Sequence, residues 1–180
     1  QTGRIGTTDL LPSANIVYSL REDMNVRAAY GRTLARPTFR EFSPSTYYDF
    51  QKQEIFDGSP TLDRTLVHNA DLRWEWFTGP GELLAVSGYY KSFDAPIERV
   101  VVEEAINREV TYQNQQSAQV YGAEFEARTR LDIVADFLRY VEVGGNLTLT
   151  ESSVTDTLGA DLGRPLEGQS SYLVNADVSY

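Results

Sequence analysis

The sequence DLRWEWF at residues 71–77 alternates between charged and large apolar side chains. Leu72, Trp74 and Trp76 share one face of an extended chain, and the charged residues between them share the other. A period of two is the period of side chains on a β-strand. The segment therefore predicts a strand with one apolar face and one polar face.

The same period recurs along the chain and predicts about seven strands, hence an all-β fold. Besides residues 71–77, the predicted strands are residues 14–20, 25–32, 82–93, 119–131, 141–150 and 174–180. The segment at 82–93 has apolar residues on both faces, so its orientation stays open. The best helical candidate, residues 132–138, is short. The longer strands reach the roughly 9 to 11 residues that cross a bilayer at a tilt.

The connections between these strands alternate between short and long. The short ones lie at residues 21–24, 78–81 and 132–138, and the long ones at about 33–67, 94–118 and 151–170. Soluble domains rarely carry structureless loops longer than about 12 to 15 residues. Short turns on one side and long loops on the other are typical of a bacterial transmembrane β-barrel. We therefore expect an antiparallel, up-and-down transmembrane β-barrel segment with long extracellular loops, the second of which contains a hairpin at 97–102 and 109–112 around Asn107.

In such a barrel the charged strand positions face the lumen, because an Arg or Lys facing lipid costs about 2 to 4 kcal/mol near the midplane. The expected lumen-facing residues are Arg73, Glu75, Glu124, Glu126, Arg128 and Arg130. The expected lipid-facing residues are Trp74, Trp76, Phe125, Leu147 and Leu149.

Composition excludes several functions. The chain has 180 residues and a net charge of -10, from 16 Lys and Arg against 26 Asp and Glu, which argues against nucleic acid as a partner. There is no cysteine, which excludes disulfides, thiolate metal sites and cysteine nucleophiles. The sequence contains no run of about 18 apolar residues, so it predicts no transmembrane helix.

Several motifs resemble one family of outer-membrane proteins. The sequence LPSAN at 11–15, followed by RAAYGRTLARPTFREFSP at 27–44, is similar to the barrel of TonB-dependent receptors. Residues 58–62, GSPTL, resemble a motif of that family in which Ser59 replaces an Asn. The sequences YGAEFE at 121–126 and LEGQSSYLVN at 166–175 resemble later strands. The motifs follow the family order along nearly the whole chain.

The resemblance implies a location in the cell outer membrane, in contact with its lipid, and high-affinity uptake of a scarce nutrient such as an iron–siderophore, cobalamin or a glycan. It also implies a plug domain and the TonB complex as partners, and no cofactor. We expect residues 1–180 to be part of the barrel domain without the plug. Single-chain bacterial barrels close with an even number of strands, whereas the predicted number is odd, and residues 1–9 resemble the end of an outer loop.

The first long loop holds the candidate ligand-binding residues. It combines aromatic side chains with guanidinium groups, a mix that grips an extracellular small molecule or oligosaccharide by stacking and hydrogen bonding. The candidates are Arg36, Arg40, Tyr47 and Tyr48. The alternative is that these side chains pack the loop against its neighbours.

Nothing in the sequence favours an enzyme or a metal site. His68 is the sole histidine, and no triad partner is placed beside it by spacing. The acidic pairs Glu22–Asp23 and Glu103–Glu104 lack the further oxygen ligands and the turn glycine of a calcium loop. A soluble β-rich binding module, a small complete barrel or adhesin, and a β-fold hydrolase dependent on His68 stay open as alternatives.

Overall fold

A computed structural model of the chain describes residues 6–102, 109–160 and 162–180. In chain order the strands are β1 (Ser13–Arg21), β2 (Met24–Ala35), β3 (Thr46–Asp49), β4 (Glu54–Asp57), β5 (Thr65–Trp76), β6 (Leu83–Asp94), β7 (Ile97–Val102), β8 (Glu109–Asn114), β9 (Ser117–Arg130), β10 (Glu142–Thr155) and β11 (Tyr172–Ser179). One short helix, α1 (Phe39–Phe42), lies between β2 and β3. Within the described residues, no helix is long and apolar enough to cross a bilayer.

Seven strands form one antiparallel sheet in the order β1-β2-β5-β6-β9-β10-β11. Each of the seven predicted strands corresponds to one of them, so the up-and-down topology is confirmed. β1 and β11 are the edges, and the sheet is open. β5 begins at Thr65, before the predicted start at 71. Residues 65–70 lie towards the end of the apolar band, where neither face of the sheet needs to be apolar. Apolar and polar side chains therefore do not alternate regularly there.

One face of this sheet is a continuous apolar band. The register aligns one residue from each strand in a single row: Tyr18, Val26, Trp74, Val86, Phe125, Leu147 and Val174. All the residues expected to face lipid lie on this face. Its side chains stay exposed in the isolated chain, with 57% of Leu72 and 67% of Ile16 accessible. Such a face requires an apolar environment.

Aromatic residues with partnered polar atoms border the band. At one end Tyr30 and Tyr121 place their hydroxyl oxygens 2.7 Å from His68 Nδ1 and 2.6 Å from Glu151 Oε2. At the other end Trp76 Nε1 donates to Asp23 Oδ2 over 2.9 Å. An aromatic ring with one apolar side and one polar end suits the boundary between hydrocarbon and water. The sheet therefore has the girdles of a transmembrane barrel wall.

The strand whose faces were ambiguous, β6, is oriented by Tyr89. Tyr89 lies on the polar face and its hydroxyl is 2.5 Å from Thr150 Oγ1 on β10. To reach that residue the ring passes across Gly122 of β9, where an added Cβ would collide with Tyr89 and with the backbone of Leu149. The glycine of the YGAEFE motif therefore makes room for a side chain that crosses from β6 to β10.

The connections are more ordered than the sequence predicts. The short connection at 132–138, the best helical candidate in the sequence, forms two 3₁₀ turns, Leu131–Ile133 and Asp136–Leu138. The first long loop contains two strands that the sequence does not predict, β3 and β4. The predicted hairpin of the second loop is present as β7 and β8, while its turn at 103–108, with Asn107, lies outside the described residues.

We predict that Leu147→Arg destabilises the protein by about 2 to 4 kcal/mol in a phospholipid bilayer, because Leu147 lies in the central row of the apolar face. The neighbouring Thr148→Arg, on the polar face, should cost far less. Unfolding of the full-length protein in vesicles by denaturant measures both. Equal losses of stability for the two variants would contradict the assignment of the faces.

Candidate functional site

The long loops on one side of the sheet are joined by a second sheet. The first outer loop (36–64) contributes β3 and β4, and the second outer loop (95–116) contributes β7 and β8, in the order β3-β4-β8-β7. β4 and β8 pair in parallel, with Phe56 opposite Val110, and Thr111 Oγ1 donates to Asp57 O over 2.9 Å. We call these four strands the outer sheet. Its pairing fixes the first two outer loops to each other.

An aromatic stack crosses the outer sheet from one loop to the other. The rings of Tyr47 and Phe56 are stacked at 5.2 Å with an interplanar angle of 2°, and Tyr112 follows at 6.3 Å from Phe56. Arg40 lies 4.0 Å from the Tyr47 ring centre, and Arg99 lies 5.6 Å from that of Phe56. Burial raises the pKa of the Tyr112 phenol, so this ring stays uncharged in the stack. The stack holds both loops in one arrangement.

The four residues predicted to bind ligand are divided by this arrangement. Arg40 and Tyr47 come together in the stack, where α1 positions Arg40. That helix has a capping box in which Thr38 N donates to Glu41 Oε2 over 2.7 Å. Arg40 and Tyr47 thus contact each other in the stack, and the side chain of Arg40 remains exposed.

Tyr48 and Arg36 remain accessible instead. Tyr48 is 47% exposed and packs edge-on against Phe50 at 5.0 Å between ring centres. The turn after it is closed by Asp49, whose carboxylate accepts the N–H groups of Lys52 and Gln51, and these bonds lower the pKa of Asp49. Arg36 is exposed at the end of β2 and has no hydrogen bond or ion pair among the described residues. These two side chains are free to meet a molecule from outside.

The third outer loop (156–171) is attached to the outer sheet by ion pairs that sequence reasoning missed. Arg99 binds Glu54 of the first loop at 2.5 Å and Glu167 of the third at 3.1 Å. Arg164 binds Glu98 at 2.8 Å. Burial opposes the charge of Arg99, but the two carboxylates outweigh it, so the pKa of Arg99 is raised. The partners are up to 68 positions apart, so no local pattern signals them.

A cavity of about 770 Å³ lies between the β7–β8 hairpin and the third outer loop. Arg99, Val101 and Gln113 line one wall, and Arg164 and Gln169 line the other. The cavity combines amide, charged and aliphatic groups. It is a second candidate binding site, separate from the exposed tip of the first loop.

The polar face of the main sheet carries paired charges. Glu75 accepts from Arg27 Nε at 2.6 Å and from Arg73 Nε at 2.9 Å, and Arg73 Nη2 reaches Glu126 at 2.7 Å. The register places all six residues expected to face the lumen on this side. Each buried charge in this network has an opposite charge in contact, which limits its desolvation cost. The face is suited to a polar protein surface or water.

The remaining candidates have structural surroundings. His68 lies beside Tyr30 at the edge of the apolar band. Asp23 of the first acidic pair accepts the Trp76 indole N–H and contacts Arg21 at 3.3 Å. The second pair, Glu103–Glu104, lies outside the described residues. In the part of the chain that the structure describes, no group of three or more His, Asp or Glu residues is placed to hold a metal ion.

We predict that Arg99→Ala lowers the free energy of local opening of the outer sheet by about 1.5 to 3 kcal/mol, because it removes a charged hydrogen bond to the buried Glu54. Hydrogen exchange of the β4 and third-loop amides measures the change. Arg139→Ala is the control, since Arg139 lies in a short turn, its guanidinium group lies 5.0 Å from the Tyr140 ring centre, and it has no ion pair among the described residues. Unchanged hydrogen exchange in the Arg99→Ala variant would contradict the assignment of Arg99 as the residue whose ion pairs join the first and third outer loops.

Solved structures share this fold. The siderophore receptor PirA from Pseudomonas aeruginosa is 20% identical, with 80% of this chain and 27% of that receptor covered and a TM-score of 0.60. A variant of the ferric enterobactin receptor PfeA from the same organism, in complex with enterobactin, is 18% identical, with 93% and 25% covered and a TM-score of 0.66. The FrpB iron transporter from Neisseria meningitidis is 11% identical, with 84% and 21% covered and a TM-score of 0.57.

The chain therefore spans about a quarter of the length of these proteins. No curated protein matches the sequence. A family model described as TonB dependent receptor-like, beta-barrel, matches residues 1–180. This match agrees with the girdled apolar face and with the up-and-down strand order. The members of the family are receptors and transporters, not enzymes. The chain belongs to the TonB-dependent receptor β-barrel family and is an outer-membrane protein.

Proposed function

We propose that this chain forms part of the barrel wall of a receptor that takes up a scarce nutrient across the outer membrane with energy from the TonB complex. The observation that carries the proposal is the division of one sheet into two faces. One face is a girdled apolar row that crosses seven strands, and the other is a network of paired charges. A wall between lipid and a polar interior needs both.

The polar face supports a plug domain as partner. Arg27, Glu75, Arg73 and Glu126 form a linked row across β2, β5 and β9. Each charged side chain of this row is already paired with an opposite charge of the row. A plug surface that lies against the row and then moves away therefore leaves no unpaired charge behind. The plug is not within residues 1–180 in this proposal. Two of the alternatives fit less well, since a soluble module has no use for the apolar face, and an open sheet is not a complete small barrel.

The ligand class we propose is an iron–siderophore, ahead of cobalamin or a glycan. The similar solved structures are described as siderophore receptors, a ferric enterobactin receptor and an iron transporter, which supports this choice. In the first outer loop, Arg36 and Tyr48 offer a guanidinium and an aromatic ring that suit an anionic or aromatic chelate. We propose that these two contact the ligand, while Arg40 and Tyr47 support the loop beneath them.

Uptake by cells tests the transport proposal. A strain that depends on the full-length protein should accumulate iron supplied as ferric enterobactin, and accumulation should stop when TonB is removed, because the plug then has no source of energy. Uptake that continues without TonB would contradict energisation. Growth on cobalamin or a glycan, but on no ferric siderophore, would contradict the ligand class.

Binding to the purified full-length protein in detergent tests the loop residues. Arg36→Ala and Tyr48→Ala should each weaken binding of ferric enterobactin by about 5- to 30-fold, the loss expected for one partly desolvated cation or ring contact of about 1 to 2 kcal/mol. Lys52→Ala, in the same loop and exposed, is the matched control and should change the affinity less than about twofold. Wild-type affinity in both variants would exclude Arg36 and Tyr48 as ligand contacts.

A further inference from the structure

Arg32 is a cationic side chain on the lipid-facing side of the main sheet. It lies two residues beyond Tyr30 on β2, hence on the same face, and directly opposite His68 of β5. Arg32 Nε is shielded from solvent and has no hydrogen-bond partner, and among the described residues no carboxylate forms an ion pair with this guanidinium group. Arg99 and Arg130 also have a shielded Nε, but both of these side chains have ion pairs. The charge of Arg32 is therefore left without a partner.

The depth of Arg32 in the membrane follows from the length of β2. Met24, the first residue of β2, lies opposite Trp76, which borders the apolar band at the end with the short turns. Arg32 is the ninth residue of β2, and about 9 to 11 residues of a tilted strand cross the hydrocarbon. Tyr30, just before it, belongs to the aromatic border at the other end of the band. The guanidinium group therefore lies at the level of the lipid headgroups on the side of the outer loops, where a charge costs little.

Side chains able to donate hydrogen bonds continue from Arg32 across the sheet at the same level. The register aligns Arg32, His68, Ser92 and Gln119 on β2, β5, β6 and β9. The hydroxyl oxygen of Tyr30 lies 2.7 Å from His68 Nδ1. When this hydroxyl donates to Nδ1, the imidazole proton lies on Nε2, which is then a further donor beside Arg32. The row thus combines one cation with several donors and contains no carboxylate.

The carboxylates nearest to this row leave Arg32 available. Asp9 accepts from Arg64 Nε over 2.8 Å. This hydrogen bond is the main cause that lowers the pKa of Asp9, and the charge of Arg32 contributes least. Asp94 and Glu151 lie on β6 and β10, two and four strands from β2, which is about 10 and 20 Å at about 4.8 Å per strand. An anion bound at Arg32 would therefore meet no carboxylate in contact.

We propose that Arg32 and His68 bind the phosphate group of an anionic lipid in the half of the bilayer on the side of the outer loops. A guanidinium group binds two phosphate oxygens through parallel N–H donors, and the imidazole adds a further donor. A lipid is the occupant because the site lies on the lipid-facing side at headgroup depth, where the lipid phosphate is the anion within reach. The inference rests on the barrel wall of the proposed function and does not depend on the transported nutrient.

Photocrosslinking resolves this site in the full-length protein in phosphatidylcholine nanodiscs. The probe is phosphatidylglycerol with a photoreactive diazirine on its headgroup, and mass spectrometry measures the labelled fraction of residues 28–36 and 66–70 as the probe fraction rises. We expect saturable labelling at lower probe fractions than with a phosphatidylcholine probe that carries the same diazirine. Equal labelling by both probes would overturn the selection of an anionic lipid. If millimolar inorganic phosphate prevents the labelling, the site takes free phosphate and the lipid assignment is wrong.

Substitutions of Arg32 separate its charge from its shape. Arg32→Gln should raise the probe fraction at half-saturation by about fivefold, the loss expected for one cation at an anionic lipid surface. Arg32→Lys keeps the charge but loses the parallel donors, so the rise should be only about twofold. Lys52→Gln is the matched control, since it removes one exposed positive charge from the first outer loop, and it should cause no measurable change. An unchanged value in Arg32→Gln, or an equal rise in Lys52→Gln, would refute the site.

His68→Ala tests the second residue of the site and should raise the half-saturating probe fraction by about threefold, because one donor is lost. An unchanged value would overturn the contribution of His68. Circular dichroism checks that each variant is folded. Ferric enterobactin binding, measured on the same samples, tests the proposed function separately. Nutrient binding without selective lipid labelling would reject the lipid site alone, and selective labelling without nutrient binding would reject the proposed ligand alone.

Discussion

In the hydrocarbon core of a bilayer no water is available to hydrogen-bond a backbone N–H or C=O group. Every strand of a wall that crosses it must therefore pair with a neighbour, and the ladder from β1 to β11 does this without a break in its order. Once the strands are paired, the side chains have only two directions. The apolar row through Trp74 and Phe125 and the ion pairs around Glu75 follow from that division.

Outside the membrane a different constraint applies, since water satisfies loop backbones and no face has to be apolar. Order in the outer loops comes from contacts between them. The parallel pairing of β4 with β8, the stack on Phe56 and the ion pairs of Arg99 bring three loops into one body. The same contacts leave two accessible places, namely the tip near Tyr48 and the cavity beside β7.

Position within this architecture divides the predicted ligand residues into two pairs. Arg40 and Tyr47 match a binding composition as well as Arg36 and Tyr48 do, yet the former pair is part of the stack that shapes the loop. Composition identifies side chains able to stack and donate. Whether they turn inward or outward depends on strands that belong to another loop, so the sequence of the first loop alone does not separate the two pairs.

The sequence by itself determined the strands and, for most of them, the face each presents, because the period of two is a local property and lipid demands an apolar side. DLRWEWF at 71–77 is enough to assign Trp74 and Glu75 to opposite faces. Only the tertiary structure decided the orientation of β6, where Tyr89 crosses Gly122 to reach Thr150. It also decided the outer sheet and the cavity, since their contacts join residues such as Arg99 and Glu167 that lie far apart in the chain. Pairing over such distances leaves no periodicity in either segment.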